Sequence, residues 1–405
     1  MISLEEARAR VLSACPPARP VTVDLDDALG LVLAEPVDSP EAVPPFANSA
    51  MDGYAVRAAD VAGASADTPA RLRVVGELAA GSAPERGVGV GEALRIMTGA
   101  PFPDGADTIA IVETTTTDGD DVLIDAPARA GAHIRAAGED LGAGQEVFVA
   151  GTVLGPGHLG VLASTGRGKV TVSPAPVVGV LSTGDELVEG DVALRPGQIR
   201  DSNRRTLLAL ARRDGYRAVD LGIARDDEAE LRQKLTAAAE RCDAVLTSGG
   251  VSMGAYDYVK KVLDEIGDMT WMQVAIRPAK PFAFGTVGAT PVFGLPGNPV
   301  SSMVSYELLA RSGLRRLAGH AAGDLHRPTV PAVVDDDSLR RRPDPRTNYS
   351  RVRAAFGADG RLHVHTAGGQ GSNLLWPMAR ADALAVVPPG DGIPAGGQVQ
   401  VILLG

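Results

Sequence analysis

Two glycine-rich turns recur inside one alternating strand and helix pattern. One reads Thr247-Ser248-Gly249-Gly250-Val251-Ser252-Met253-Gly254, the other Gly294-Leu295-Pro296-Gly297-Asn298-Pro299-Val300-Ser301. Each follows a short apolar run, Ala244-Val245-Leu246 or Pro291-Val292-Phe293, and each precedes a helix-like stretch. A strand end, a flexible turn and a helix start leave backbone N–H groups facing outward. The helix dipole adds to their pull on negative charge. Two such cradles on one parallel sheet predict a phosphate-bearing ligand at the carboxyl edge of the strands. A literal GxGxxG also occurs at Gly155-Pro156-Gly157-His158-Leu159-Gly160. It is not read as a dinucleotide site, because Pro156 removes an N–H and no extended βαβ unit surrounds it.

At 405 residues the chain exceeds one typical core, so about two to four domains are expected. Apolar residues make up 45% and charged residues 22%, an ordinary globular balance. Aromatics are only 4%, so the cores must rest on Val, Leu, Ile and Ala. The net charge of −11 disfavours non-specific nucleic-acid binding. It does not bar an anionic ligand, which responds to the local field. Cys15 and Cys242 match no metal spacing and read as reduced thiols. No apolar run reaches the length of a membrane span. Ser3-Leu4-Glu5-Glu6 reads as a capping box opening a helix rather than as a signal peptide. The expected compartment is the cytoplasm, with no nucleic-acid and no membrane partner.

A helix is predicted from Ser3 to about Ser13, stopped by Pro16-Pro17, and a second from Asp24 to Leu33. From about Ala47 to Ala137 the pattern turns to short β-runs around Leu72, Ala93, Thr108 and Asp121, punctuated by Gly, Pro and Asp. This reads as an inserted β domain (47–136), which splits an N-terminal α+β domain into 1–46 and 137–173. Residues 174–319 carry repeated strand and helix units, implying a mostly parallel sheet covered on both faces. Its strands are expected at Val177–Leu181, Ala218–Leu221, Ala244–Thr247, Thr270–Ile276 and Val292–Leu295. Its helices are expected at Asn203–Arg213, Asp227–Arg241, Tyr256–Ile266 and Val300 to about Leu317. After His320 the pattern is β again, giving a small C-terminal β domain over 320–405. The fold class is therefore α/β and β multidomain.

Acidic residues gather at turns: Asp52 in Asn48-Ser49-Ala50-Met51-Asp52-Gly53, Asp140 in Gly138-Glu139-Asp140, and Glu186 in Ser182-Thr183-Gly184-Asp185-Glu186. Asp226 follows Arg225, and Asp257 lies just past the first glycine turn. Asp is common at strand ends as a cap or turn former. Several sheet loops bringing carboxylates to one edge point further. Carboxylates beside a phosphate site commonly hold Mg²⁺, which bridges the like charges. The basic complement is Arg277 and Lys280 on a loop stiffened by Pro278 and Pro281. In the C-terminal segment, Arg346 and Arg351 flank Tyr349, and Ser372 sits in a Gly-rich turn. The six histidines form no HExxH or comparable ligand set, and nothing reads as a Ser/His/Asp triad.

Taken together, PPFANSAMDGYAV (44–56), IMTGAPFPDGAD (96–107), GED (138–140), VLSTGDEL (180–187), GQIRDSN (197–203), SGGVSMGAYDYV (248–259), RPAKPFAFG (277–285) and GLPGNPVSS (294–302) resemble the MoeA and gephyrin E-domain family of molybdopterin molybdenumtransferases. The resemblance implies four domains, including a MogA-like α/β domain and a C-terminal domain resembling a β-barrel. It implies a homodimer with a site between subunits. The implied reaction converts adenylylated molybdopterin and molybdate to molybdenum cofactor and AMP, with a divalent metal. The family's functional positions fall on Asp52, Thr98, Asp140, Glu186, Asp226 and Asp257, with cations at Arg277 and Lys280. The family often has Lys where Arg277 stands, and some members have Lys where Gln273 stands. Arg keeps the charge but forks it, and Gln273 removes one cation. The resemblance also implies a molybdate site at Arg351 and Ser372.

These implications assign Glu186, Asp226 and Asp257 to Mg²⁺ or phosphate chemistry. The turns offer Ser182, Thr183, Ser248, Gly249, Gly250, Ser252, Pro296, Gly297, Asn298, Pro299 and Ser301 to the pterin phosphate region. A molybdopterin adenylyltransferase is an expected partner. Two alternatives compete: a chain that is itself such an adenylyltransferase, and a non-enzymatic scaffold. The added N- and C-terminal domains argue against the first. A lack of extra interaction segments argues against the second.

Overall fold

A computed structural model of the chain describes residues 1–251 and 258–405. The strands Arg217–Ala224, Val177–Thr183, Ala244–Ser248, Thr290–Leu295, Pro281–Val287 and Asp268–Gln273 form one sheet in that order. The first four are parallel and the last two antiparallel. Ala244–Ser248 is buried throughout, as expected for a strand covered on both faces. Asn203–Arg213 and the helical run from Pro299 to Leu317 pack on one face, and Glu228–Arg241 and Tyr258–Ile266 on the other. The run from Pro299 contains one π-type turn at Tyr306–Ala310.

The strand Pro281–Val287 has no counterpart in the sequence reading, where the two prolines suggested only a loop. Pro281 occupies the first strand position, and Phe282 and Phe284 are buried behind it. Proline at a strand start withdraws little from the ladder. The helix expected from Asp24 to Leu33 does not form. Leu25–Asp27 makes a single 3-10 turn, and Val32–Leu33 pairs with Lys169–Ser173. Gly30, at φ +79°, ends any helical path there.

Val21–Asp24 also pairs with Lys169–Ser173, and Val37–Asp38 pairs with Glu146–Phe148. The segments on either side of the insertion thus share small sheets. The inserted segment forms a six-stranded sheet, in which Gly53–Val56 lies between Thr108–Ile111 and Glu92–Ile96. In the C-terminal segment, five strands close on themselves through the pairing of Thr347–Phe356 with Ala383–Val387. Ile276–Arg277 extends this sheet by pairing with Thr347 and Asn348.

The first helix, Leu4–Ser13, packs on the α/β unit. Leu4, Ala7 and Val11 are buried in a cluster with Phe293 and Leu314. A side chain at Gly313 would collide with Val11, Phe293 and Cys15. The Ser3 cap, which accepts from the Glu6 N–H at 3.0 Å, is worth about 1 kcal/mol. Burying Leu4 and Val11 at about 1.5–3 kcal/mol each outweighs it, so docking rather than the cap holds this helix.

Candidate active site

The two glycine turns meet at the carboxyl edge of the sheet. A cavity of about 290 Å³ is lined by Thr183, Glu186, Ser248, Gly249, Gly297, Asn298 and Pro299, with Asn203 and Asn373 on its wall. Gly249 has φ +98° and Gly250 φ +69°. A Cβ at Gly249 would sit 2.9 Å from Thr183 Oγ1, so the first turn lies flush against the neighbouring strand end. The Gly249 N–H donates to the Leu295 carbonyl at 3.0 Å, which docks one turn beside the other. Pro299 takes the first helical position, where a missing N–H costs nothing. Pro296 and Ser301 are buried beside it.

Ser182 does not face this cavity. It is fully buried, and its hydroxyl donates to Asp201 at 2.9 Å. Asp201 also accepts from Arg204, another buried side chain. Ser182 therefore belongs to an internal network, because the side chains of a strand alternate between faces. Ser252 and Asp257 lie outside the described residues.

A neighbouring cavity of about 480 Å³ is acidic. Asp185, Asp226, Asp227 and Glu230 line it, with Arg225. The Asp226 N–H donates to Asp185 at 3.2 Å. Loss of water and then the nearby Asp185 charge raise the Asp226 carboxyl above its ordinary range. Glu186, expected beside Asp226, stands on the wall of the other cavity, and its carboxylate folds back over Gly184. Leu187 lines both cavities. Asp185 was missed as a site residue, although it stands in the STGDEL run. No cluster of three His, Cys, Asp or Glu suited to a metal occurs among the described residues. Mg²⁺ needs only one or two protein carboxylates when substrate oxygens and water complete its shell. The Asp185–Asp226 pair, destabilised by its own like charge, fits such an ion.

Arg277 and Lys280 do not act on one space. Arg277 is exposed and pairs with Asp344 at 3.3 Å. Asp344, held mainly by Arg346, lies well below the usual carboxylate range. Ala279, at φ +75°, turns the chain between them. Lys280 instead lines a cavity of about 400 Å³ with Lys260, Trp271, Gln273 and Val251.

Arg351 has no exposed surface. Its Nη2 donates to the carbonyls of Gly369 at 2.8 Å and Gly371 at 3.2 Å. Nε and Nη1 meet no partner among the described residues. Burial lowers its pKa to about 10. The turn above it reaches the second cradle, since the Ser372 carbonyl accepts from the Val300 N–H at 3.0 Å.

Asp52, Thr98 and Asp140 line none of these cavities. Asp52 accepts from the Thr98 N–H at 2.7 Å and the Thr98 hydroxyl at 2.8 Å. These two bonds, the backbone one first, hold its carboxyl below the ordinary range. Asp140 is exposed on the segment after Ile134–Arg135, which pairs with Asn48–Ser49. The two acidic turns thus leave adjacent strands.

Fold and site define a multidomain protein whose two glycine turns border a cavity at the edge of a mostly parallel sheet. Residues 2–166 match the family model for the MoeA N-terminal region (domain I and II). Residues 179–316 match that for a "Probable molybdopterin binding domain", and 338–404 that for the MoeA C-terminal region (domain IV). The chain is 35% identical to a molybdopterin molybdenumtransferase of Haemophilus influenzae, over 99% of this chain and 98% of that protein. It is 42% identical to a molybdopterin molybdenumtransferase 2 of Mycobacterium tuberculosis, over 80% and 81%. The crystal structure of the molybdopterin biosynthesis MoeA protein from Pyrococcus horikosii superposes with a TM-score of 0.83 at 32% identity, covering 100% of this chain and 99% of that one. The chain belongs to the MoeA family.

Proposed function

We propose that this enzyme inserts molybdenum into adenylylated molybdopterin, giving molybdenum cofactor and AMP. Molybdenum insertion follows from family membership, since relatives matched along nearly the whole chain carry the name molybdopterin molybdenumtransferase. The observation that carries the finer reading is a pair of cavities at one sheet edge. One is rich in turn backbone and hydroxyls, the other holds Asp185 and Asp226, and Leu187 lines both.

Ser248, Gly249, Gly297 and Asn298 hold the pterin phosphate, with Thr183 and Glu186 on the same wall. Asp185 and Asp226 hold Mg²⁺, and Asp257 is assigned to the same chemistry. When bound, the ion draws charge from the phosphoanhydride. Arg351 and Ser372 receive molybdate, with Arg277 and Lys280 guiding anions toward the edge. Fixing both reactants removes much of the entropic barrier to their meeting. The working unit is a cytoplasmic homodimer in which the Asp52, Thr98 and Asp140 turns complete the partner's sheet edge. Its substrate is supplied by a molybdopterin adenylyltransferase.

Incubating purified protein with adenylylated molybdopterin, molybdate and Mg²⁺ should release AMP in step with molybdenum incorporation. Absence of AMP release would remove this reading. AMP-pterin formed from ATP and molybdopterin would point instead to an adenylyltransferase. Sedimentation at micromolar concentration should show a dimer, and a monomer would remove the shared site.

A further inference from the structure

Asn203 opens the Asn203–Arg213 helix, half-buried on the wall of the cradle cavity. Its Nδ2 donates to Ser248 Oγ at 2.7 Å and to the Gly297 carbonyl at 2.7 Å. Ser248 ends the strand before the first glycine turn, and Gly297 lies within the second. One side-chain amide therefore ties both turns together.

The orientation of this amide is determined. The Gly297 carbonyl can only accept, so the Asn203 oxygen cannot face it. The bond also decides what Ser248 does. With one lone pair of Oγ engaged by Asn203, the hydroxyl hydrogen is left free to point elsewhere. Ser248 lines the cavity, and its hydroxyl donates to no described residue. Beneath the amide lies a buried hydrogen-bond network. Asp201 accepts from Ser182 Oγ, from the Arg204 N–H at 3.2 Å and from Arg204 Nε at 2.9 Å. Both Asp201 and Arg204 are buried. The helix start is thus pinned to a third strand end, Val177–Thr183.

We propose that Asn203 is a positioning residue that fixes the separation of the two glycine turns and makes the Ser248 hydroxyl a donor to a phosphate. This rests on reading the cavity as a phosphate cradle. Its consequence is selectivity: Asn203 acts on affinity for the phosphate rather than for the rest of the ligand.

The test compares wild type, Asn203→Ala, Ser248→Ala and the double variant in calorimetric titrations with molybdopterin and its dephosphorylated form. Wild type should prefer the phosphorylated ligand. Asn203→Ala should lose about tenfold in affinity for it and change little toward the dephosphorylated form. The double variant should lose little more than the worse single one, since the two residues act as a unit. A merely structural Asn203 would lower the melting temperature and both affinities alike, and that result overturns the proposal. Unchanged affinity of Asn203→Ala for the phosphorylated ligand also overturns it. If Asn203→Ala does not fold, Ser248→Ala carries the same comparison, because it removes the donor and leaves the bond to Gly297. A wild type without phosphate preference removes the cradle reading itself, and this proposal with it.

Discussion

Arg351→Met asks whether a fully buried cation is kept for a ligand. No carboxylate pairs with Arg351 among the described residues, and two of its three nitrogens meet no partner there. Burial lowers its pKa from the ordinary arginine range to about 10. That difference corresponds to about 3 kcal/mol spent holding the charge. Methionine fills most of the stem and removes the charge. It also strips the donor from the Gly369 and Gly371 carbonyls, at roughly 1.5–3 kcal/mol each. The terms largely offset, so the net loss of stability should stay under about 3 kcal/mol. The sign of the pH dependence follows. A base with a depressed folded pKa carries its cost at every pH below that value, and sheds it only as pH rises past about 10. The stability gap between the two proteins should therefore be flat from about pH 5 to 8. Affinity for molybdate should fall about ten- to a hundredfold, the scale of one lost charged contact. Because no surface of Arg351 is open, an incoming oxyanion must exchange with the turn at 368–371 above it. Urea unfolding and titration calorimetry with molybdate, against sulfate as a control, read both quantities. Molybdate bound equally well by Arg351→Met would refute the reasoning, and Arg351 would then be a structural tie for the glycine turn.

Three further outcomes are expected. Asp226→Asn should raise the melting temperature of metal-free protein modestly. A carboxylate with a raised folded pKa stabilises only below its unfolded pKa, and becomes a cost as pH rises through the folded one. Mg²⁺ should stabilise wild type but not this variant, and AMP release should drop about a hundredfold; wild-type turnover would remove Asp226 from the site. Gly250→Ala should destabilise by about 1–3 kcal/mol, since the added carbon lands inside the Val259 side chain at a left-handed φ of +69°; an unchanged urea midpoint would contradict this packing. Thr98→Val should raise the Asp52 pKa part of the way to normal, because the backbone donor remains; a carboxyl NMR titration showing no shift would mean the hydroxyl contact is not made in solution.

How far the site was legible depends on whether backbone or side chains build it. The glycine turns are backbone features, written as local sequence: a buried apolar run, glycines at positive φ, then a helix start. They could be placed without knowing what packs on them. The Asn203–Arg213 helix was legible for the same reason, and it begins and ends where expected. What local pattern could not supply is which way a side chain turns at a strand end. Ser182 and Thr183 are adjacent and chemically alike. One is drawn inward by Asp201 and the other lines the cavity, a distinction set by strand alternation and by a partner almost twenty residues away. The same holds for Asp185 and Glu186. Both stand in one turn, yet only the first meets Asp226, because Gly184, at φ +139°, lets Glu186 fold back over it. Arg277 and Lys280 looked like one cationic pair on a stiff loop until Asp344, far along the chain, engaged the first. Asn203 is the sharpest case. As the first residue of a helix it reads locally as a terminus feature, but its amide gives both hydrogens to other segments, one to a strand end at Ser248 and one to the turn at Gly297. Local sequence therefore places the backbone cradle. Contacts between segments distant in the chain decide which side chains face it, and tests of function on this protein discriminate best at those long-range positions.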